Sequence, residues 1–407
     1  MKVFEDLKWR GLIKDISSPE LEEKLNKGGM SFYIGTDPTA DSLHVGHLSS
    51  FLISKRLKDA GHHPYLLVGG GTGLIGDPRP TKERAMISKE AVNKNFEGIK
   101  NQVQRLFGFD VVNNYDWIKD INTLDFLRDY GKFFNVNYML DKDIVRRRLD
   151  AGITYAEFSY MILQALDFKY LHEHNNVDLQ CAGSDQWGNI TAGIDLIRKS
   201  TGDEVYGFTM PLVTDSQGNK FGKSEGNALW LDKNKTSSYE LYQYLINVDD
   251  SMVIAYLKIF TFLTREEIEA LEESNVKEPH LRLAHQALAK AIITDLHGEA
   301  EYEKALKISQ SLFSGNIKDL NLEEIMEGLK DIPHFNLELN VSLIDLLVNN
   351  SIMNSRREAR EFLTSNALSI NGEIVNDENL IINDDLLIDG KVLIIRKGKK
   401  KYYMGLK

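Results

Sequence analysis

A strand, a helix and a second strand follow one another near the start of the chain, and this order restricts the fold more than any other feature. Residues 31–35 have the apolar pattern of a short buried strand, and residues 63–69 have that of a second one. Between them, residues 43–60 show helical periodicity that stops at Gly61. A βαβ unit of this kind places two parallel strands in one sheet. The sequence therefore predicts an α/β fold with a doubly wound, parallel-sheet (Rossmann-like) domain.

The later segments predict an α-helical domain followed by a small α+β domain. The predicted elements are a mostly helical stretch at 91–149, a helix at 154–174, strands at 177–183 and 207–213, and helices throughout 237–312. A chain of 407 residues is long enough for two to three domains. The predicted division is a Rossmann-like domain at 1–230 with a helical insertion at about 110–150, an α-helical domain at 231–313, a linker at 314–340, and the α+β domain at 341–407.

Charge is distributed unevenly along the chain. The formal net charge is -11, which excludes a generally basic nucleic-acid coat. Residues 341–407 nevertheless hold ten basic and nine acidic side chains, and residues 396–407 hold six basic ones and no acid. A basic tail on an acidic body indicates a localised polyanion contact, although a solvated terminus would show the same pattern.

Cysteine content and hydropathy exclude several other classes. Cys181 is the single cysteine, so a disulfide framework and a multi-cysteine zinc site are excluded. The start has no apolar signal core, and no stretch reaches the ~18 apolar residues of a membrane span. We expect a cytoplasmic protein without a membrane partner.

Two glycine-rich motifs imitate well-known nucleotide sites but do not meet their requirements. Gly71, Gly73 and Gly76 match the dinucleotide fingerprint, but the following region at 91–103 has the pattern of a polar helix instead of a second strand ending in an acid. Gly218 and Gly222 are separated by three residues, where a phosphate loop needs four. A nicotinamide site and a P-loop NTPase are therefore disfavoured.

A different nucleotide site is indicated by His44-Val-Gly-His47. The two histidines share one helix face, behind a turn through Asp41 and Ser42 that is predicted to cap the helix. Helix N-termini favour phosphate, and a glycine lets a flat base approach the backbone. Two histidines satisfied by nearby backbone would explain the motif equally well.

Two more polar clusters are candidate ligand contacts. Tyr160, Gln164 and Asp167 fall at i, i+4 and i+7 on the predicted helix, on one face among apolar neighbours. Buried polar groups need partners, which a ligand can supply, whereas an amphipathic surface helix would need none. Asp185 and Gln186 follow a predicted parallel strand, where α/β sheets bind ligands, and a simple turn is the alternative.

A lysine-rich turn, Lys220-Phe221-Gly222-Lys223-Ser224, lies about 175 residues after the histidine motif. Two cations three residues apart, a hydroxyl and a glycine suit a polyphosphate that must be gripped and released. We call residues 220–224 the lysine loop.

Taken in order, these motifs resemble those of the bacterial-type tyrosyl-tRNA synthetases, a family of class I aminoacyl-tRNA synthetases. The histidine motif is similar to the family's His-Ile-Gly-His, and the lysine loop to its Lys-Met-Ser-Lys-Ser. Further similar blocks are Tyr33-x-Gly35-x-Asp37-Pro-Thr39, Gly73-Leu-Ile-Gly-Asp77-Pro, Tyr160-x3-Gln164-x2-Asp167 and Gly183-Ser-Asp-Gln-Trp-Gly-Asn. The tail from Ser355 resembles an RNA-binding module shared with a small-subunit ribosomal protein. The resemblance covers essentially the whole chain.

The resemblance implies tyrosine activation by ATP, with Mg²⁺ accompanying the nucleotide, followed by transfer to the 3′-terminal adenosine of tRNA(Tyr). It implies that the helical insertion forms a homodimer face, that residues 231–313 contact the anticodon arm and that residues 341–407 bind RNA. The implied reaction residues are His44, His47, Lys220, Lys223, Ser224, Thr39, Arg84 and Lys82. The implied tyrosine contacts are Tyr33, Asp77, Tyr160, Gln164, Asp167 and Gln186. The implied ATP contacts are Gly35, Asp37, Gly46, Ser50, Asp185 and Lys223. The implied RNA contacts are Arg356, Arg357, Arg360, Lys399, Lys400 and Lys401.

The chain departs from the family pattern in a few places. The segment after Asp77 is one residue shorter than in many members, so Arg84 matches well and Lys82 only partly. Ile34 replaces a common cysteine, which removes any ribose contact there, and Ser50 stands where some members have threonine.

Two other functions compete with this interpretation. Activation of tryptophan is disfavoured by Tyr33 and Asp167, because indole offers one donor and no acceptor. A non-catalytic RNA-binding protein on the same scaffold is disfavoured by the intact histidines and lysines.

Overall fold

The computed structural model describes residues 2–77, 87–150, 152–224, 227–398 and 401–407. By its internal contacts the chain forms two compact units. The first comprises Met1–Thr236 and Val248–Ile292, and the second comprises Ser237–Asn247 and Ile293–Lys407.

A six-stranded sheet organises the first unit, in the order β1-β6-β5-β2-β3-β4. Its strands are β1 (Asp15–Ile16), β2 (Ser31–Thr36), β3 (His63–Val68), β4 (Asp110–Asn113), β5 (Val177–Gly183) and β6 (Tyr206–Met210). All neighbours pair in parallel except β1, which runs antiparallel to β6. The strand order reverses between β2 and β5, so the predicted doubly wound fold is confirmed, with its switch point at these two strands.

Helices cover both faces of this sheet and continue beyond it in sequence. Those of the first unit are α1 (Val3–Trp9), α2 (Leu21–Lys27), α3 (Val45–Asp59), α4 (Lys89–Phe107), α5 (Tyr115–Ile118), α6 (Thr123–Asp125), α7 (Val136–Leu140), α8 (Asp143–Leu149), α9 (Tyr155–Asn175), α10 (Trp187–Ser200), α12 (Val253–Phe260) and α13 (Arg265–Lys277). A short two-stranded ribbon, β7 (Lys223–Ser224) with β8 (Asn227–Ala228), completes this unit.

The helix between β2 and β3 begins at Val45, two residues later than predicted. His44, and not the Asp41-Ser42 turn, is the N-cap of α3: its Nδ1 accepts from the Gly46 amide at 3.1 Å. The helix α9 has a conventional start, because Thr154 Oγ1 accepts from the Glu157 amide at 3.3 Å. It ends at Asn176, which adopts the left-handed conformation.

The prediction that residues 91–149 are mostly helical missed one strand. Residues 110–113 form β4, which pairs in parallel with β3. The helical part of the insertion therefore starts after Asn113 and includes one π-helical turn, Phe126–Tyr130.

The second unit joins helices to a five-stranded sheet of order β12-β11-β14-β15-β9. Its helices are α11 (Ser238–Ile246), α15 (Glu299–Ser314), α16 (Leu322–Gly328), α17 (Leu343–Asn349) and α18 (Arg356–Thr364), and α14 (Leu283–His297) crosses the boundary between the units in sequence. Its strands are β9 (His334–Asn336), β10 (Val341–Ser342), β11 (Leu368–Ile370), β12 (Glu373–Ile374), β13 (Ile381–Ile382), β14 (Val392–Lys397) and β15 (Lys401–Leu406).

One hydrophobic core of the second unit draws on segments far apart in sequence. Ile308 and Ile325 from the helices pack with Ile394 and Met404 from the sheet. The segment predicted as a linker, 314–340, holds α16 and the parallel edge strand β9, which pairs with β15. The helical segment after Gly298 and the C-terminal sheet are therefore built as one folded body.

Candidate active site

The carboxyl ends of β2 and β5 open into a cleft of about 290 Å³, at the point where doubly wound sheets bind ligands. Eleven of the predicted site residues line this cleft: Tyr33, Gly35, Asp37, Thr39, His47, Asp77, Tyr160, Gln164, Asp167, Asp185 and Gln186. Residues brought from five different segments of the sequence therefore meet in one place.

The deep end of the cleft holds a donor and an acceptor for a hydroxyl group. Asp167 is buried, and its two carboxylate oxygens accept from Asn114 Nδ2 at 2.9 Å and from Trp117 Nε1 at 2.8 Å. Burial raises the pKa of Asp167 to about 7, against the opposing effect of these two hydrogen bonds. The hydroxyl of Tyr33 is also buried and has no hydrogen-bond partner among the residues that the structure describes. A buried hydroxyl without a partner is costly, so a ligand that supplies one is expected.

The second group of polar side chains forms a connected network around Gln186. Gln186 Nε2 donates to Asp77 Oδ2 at 2.9 Å, and its Oε1 accepts from Gln164 at 3.2 Å and from Asn189 at 2.8 Å. Burial raises the pKa of Tyr160 well above its usual value, so this phenol stays neutral. One carboxylate and several neutral oxygens at this position suit an ammonium group.

The histidine motif forms a compact turn at the start of α3. The two imidazole rings stack with centroids 3.8 Å apart, and the His44 amide donates to His47 Nδ1 at 3.3 Å. Burial lowers the pKa of His47 to about 3, with smaller contributions from His44 and Lys220. His47 is therefore neutral at physiological pH, and because Nδ1 accepts, its Nε2 carries the proton that a ligand could receive.

Three of the predicted nucleotide residues stand beside the cleft and do not line it. His44 caps its own helix, Gly46 lies under its ring, and Ser50 Oγ donates to the His47 carbonyl at 2.8 Å. For His44 the alternative raised by the sequence, a histidine bonded to nearby backbone, describes the observed geometry.

The lysine loop lies against the histidine turn. Val45 donates to the Leu229 carbonyl at 2.8 Å, and Leu229 donates to that of Gly222 at 2.9 Å. Gly222 has φ +83°, and a Cβ added there would come within 2.8 Å of the Gly46 nitrogen. The two motifs are therefore in backbone contact, which only glycine on both sides permits.

Some predicted residues can be placed only in part or not at all. Lys220 is exposed at the start of the lysine loop, and the backbone of Lys223 and Ser224 forms β7. The side chains of Lys223 and Ser224 lie outside the described part of the structure. So do Lys82, Arg84, Lys399 and Lys400 in full.

The remaining predicted RNA contacts are exposed in the second unit. Arg356, Arg357 and Arg360 follow one another on α18, and Lys401 begins β15. Each arginine pairs with an acidic side chain, Arg357 with Glu361 at 3.0 Å for instance. Exposed pairs of this kind contribute little to stability and can exchange partners.

Sequence reasoning missed several residues of the cleft and its wall, and four of them bear on its hydrogen bonding. Thr72 and Gln180 line it, and the Oε1 of buried Gln180 lacks a hydrogen-bond partner within the described chain. Asn114 and Trp117 hold Asp167, and Asn114 also bonds Thr72 Oγ1 at 2.8 Å. Asn114 directly follows β4, so a correct prediction of that strand would have identified it.

Searches for a metal site and a membrane span gave no candidates in the described ranges. No group of three or more His, Cys, Asp or Glu side chains there could hold a metal ion. No helix there is long and apolar enough to cross a membrane.

Comparison with known proteins identifies the family. Residues 25–314 match the model for class I tRNA synthetases (W and Y), and residues 324–405 match a C-terminal domain of tyrosine–tRNA ligases. The chain is 49% identical over 413 residues to tyrosine–tRNA ligase 1 of Enterococcus faecalis, covering 99% of both chains. It is 50% identical over 412 residues to tyrosine–tRNA ligase of Limosilactobacillus reuteri, again with 99% of both covered.

A solved structure agrees with these relatives. The C-terminally truncated mitochondrial tyrosyl-tRNA synthetase of Aspergillus nidulans superimposes with a TM-score of 0.70 at 31% identity, over 77% of this chain and 94% of that one. A tryptophanyl-tRNA synthetase of Encephalitozoon cuniculi, at 17% identity and a TM-score of 0.55, shares the fold. The chain belongs to the tyrosine–tRNA ligase family of class I aminoacyl-tRNA synthetases.

Proposed function

We propose that this chain activates L-tyrosine with ATP and transfers the tyrosyl group to the 3′-terminal adenosine of tRNA(Tyr). Two residues that line the cleft carry the choice of amino acid: Asp167, and Tyr33, whose buried hydroxyl has no hydrogen-bond partner in the described part of the chain. A phenol bound there would accept from Tyr33 and donate to Asp167. The sequence and family matches over the whole chain support the reaction.

In the first step, the tyrosine carboxylate attacks the α-phosphorus of ATP. A new carboxyl oxygen–phosphorus bond forms, the bond to the β-phosphate oxygen breaks, and pyrophosphate leaves. The carboxylate is already ionised at neutral pH, so no protein base is required. The protein acts by holding the reactants in line and by stabilising the charge that develops on the phosphates.

The amino acid would be held at both ends. Asp77, Tyr160, Gln164 and Gln186 would bind the ammonium group through the network already connected by hydrogen bonds. Because those bonds exist before the ligand arrives, little ordering is needed on binding.

The nucleotide would lie toward the histidine turn. Thr39, His47 and Asp185 line the cleft, as do Gly35 and Asp37. Neutral His47 would donate through Nε2, and the proposed role of Ser50 is to fix the His47 backbone. For His44, Gly46 and Ser50 we propose a role in shaping this turn. Mg²⁺ is proposed to enter with the nucleotide, because it is typically bound by substrate phosphates.

The lysine loop is the proposed clamp on the leaving pyrophosphate. Lys220, Lys223 and Ser224 would supply two cations and a hydroxyl, and Arg84 and Lys82 would add charge from the segment after Asp77. Cations at a developing phosphate charge lower the barrier of the step without a covalent role.

We propose that two parts of the chain bind the RNA. Residues 231–313, which are divided between the two compact units, would meet the anticodon arm. Residues 341–407 would bind RNA with Arg356, Arg357, Arg360 and Lys399–Lys401. The surplus of basic residues near the C-terminus supports this assignment. The cytoplasm, where this RNA is used, is the proposed location.

We further propose that the chain forms a homodimer through the helical insertion at about 110–150, within the domain of residues 1–230. The insertion exposes several apolar side chains, Leu124, Leu127, Val136, Tyr138 and Leu149, and Tyr155 just after it is also exposed. Leu124 alone is 77% exposed, and exposed apolar patches mark interaction surfaces. Light scattering should give twice the mass of one chain, and a stable monomer would contradict the proposal.

Amino-acid-dependent exchange of pyrophosphate into ATP tests the first step. Tyrosine should drive exchange far more efficiently than tryptophan or phenylalanine, since neither of these satisfies both Tyr33 and Asp167. If tryptophan alone drives exchange, the substrate is tryptophan and not tyrosine. No exchange with any amino acid would support a non-catalytic RNA-binding protein instead.

A further inference from the structure

The side chain of Phe221 anchors the lysine loop in a buried site. Its ring is buried, 2% exposed, and packs on two aromatic rings of α12. The centroids lie 4.4 Å from Tyr256 and 4.8 Å from Phe260. These distances are those of favourable aromatic pairs, so the ring has one well-defined socket.

The backbone at Phe221 is fixed on its other side. Its amide donates to the Val213 carbonyl at 3.1 Å, and its own carbonyl oxygen lies 3.1 Å from a Cβ position built on Gly46. Phe221 therefore sits between the socket on α12 and the histidine turn, with Lys220 directly before it and Lys223 two residues after.

The socket itself is tied to the rest of the unit. Tyr256 donates from its hydroxyl to the carbonyl of Thr214 at 2.9 Å, in the segment that leads into the lysine loop. At the end of α12, Arg10 donates to the carbonyls of Lys258 at 3.0 Å and Leu263 at 2.7 Å. Arg56, which lies on the same helix as the histidines, donates to the Thr261 carbonyl. The helix α12 is thereby fixed relative to α3.

We propose that Phe221 is a positioning residue for adenylate formation: its ring, seated against Tyr256 and Phe260, sets where the lysines of the loop stand over the nucleotide. The inference rests on the proposed function and extends it to α12, which contributes no residue to the cleft within the described chain. A loop that must release pyrophosphate gains a defined closed position when one buried ring anchors its backbone.

The test compares two leucine substitutions in the full-length chain. Phe221→Leu keeps an apolar side chain and loses the ring, and a loop displaced by about 1 Å should slow adenylate formation by up to about 10²-fold. The KM for tyrosine should stay within about twofold, because the amino-acid pocket is untouched. Phe109→Leu is the matched control, since that ring is also 2% exposed and packs 5.6 Å from Phe107 and 6.2 Å from Phe51. It should leave the rate of adenylate formation unchanged.

A double-mutant cycle separates positioning from a general loss of structure. If Phe221 acts through Lys223, then Phe221→Leu should cost less than about threefold in a Lys223→Ala background. Equal losses in both backgrounds, or an equal loss in Phe109→Leu, would overturn the inference. Should Phe221→Leu fail to fold, Phe260→Leu loosens the socket from the other side and should reduce the same rate without changing the KM for tyrosine.

These results are distinguishable from failure of the proposed function. If the unsubstituted chain catalyses exchange and Phe221→Leu catalyses it at the same rate, only the positioning role is overturned. An unsubstituted chain without tyrosine-dependent exchange overturns the function, and the positioning role with it.

Discussion

Discrimination between tyrosine and phenylalanine should depend on pH through Asp167. Burial raises the pKa of this carboxyl to about 7. The ionised fraction then rises from about one tenth at pH 6 to about nine tenths at pH 8. The carboxylate accepts a stronger hydrogen bond from the substrate phenol than the neutral acid does. The ratio of kcat/KM for tyrosine to that for phenylalanine should therefore rise about ninefold between pH 6 and pH 8.

The assay is pyrophosphate exchange with each amino acid across this range, because kcat/KM reports the pKa of groups in the free enzyme. Phenylalanine shares the ammonium and carboxylate of tyrosine, so the ratio cancels any pH dependence that is common to the two substrates. His47, with a pKa of about 3, does not titrate here. In Trp117→Phe the carboxylate loses a donor at 2.8 Å, so the midpoint should move up by about one pH unit. A ratio that stays flat, or a midpoint that moves down in Trp117→Phe, would refute the reasoning.

Four further variants test other residues of the proposed sites. Tyr33→Phe should lower kcat/KM for tyrosine by about tenfold. Urea denaturation should show no loss of stability, because the substitution removes a buried hydroxyl without a described partner. A loss of several kcal/mol in the free energy of unfolding would contradict this. Lys223→Ala should reduce kcat of the exchange reaction far more than it raises the KM for ATP, and a pure KM effect would exclude a transition-state role. Gly46→Ala would place a Cβ 2.9 Å from the His44 ring and 3.1 Å from the Phe221 carbonyl, so exchange should fall by about 10²-fold with normal tyrosine binding by calorimetry. Replacing Arg357 and Arg360 together by glutamine should leave exchange unchanged and weaken tRNA charging, and equal losses in both assays would argue against an RNA contact.

Local patterns were sufficient for most of the catalytic fold. The strands β2 and β3 with α3 between them have strong periodicity, and their parallel pairing follows from chain geometry. Strand β4 was missed because it is four residues long and lies between helices, where only pairing with β3 stabilises it. The start of α3 was misplaced because a histidine, an uncommon N-cap, takes that position.

The residues of the candidate site also divide into those that local sequence patterns could predict and those that they could not. Those in compact motifs, such as Tyr160, Gln164 and Asp167, could be predicted because helical spacing places them on one face. Asn114 and Trp117 could not, because their hydrogen bonds to Asp167 span about fifty residues of sequence. No local pattern reports contacts of that kind.

The shared core of the second unit has a consequence for synthesis of the protein. Met404 packs with Ile308 and Ile325, and β15 pairs with β9. All residues of the first unit precede position 293, so that unit can fold while translation continues. The second unit cannot complete its core until β15 has been synthesised and has left the ribosome. A chain terminated before β15 would therefore carry a folded first unit beside an open apolar core, a state that proteases recognise.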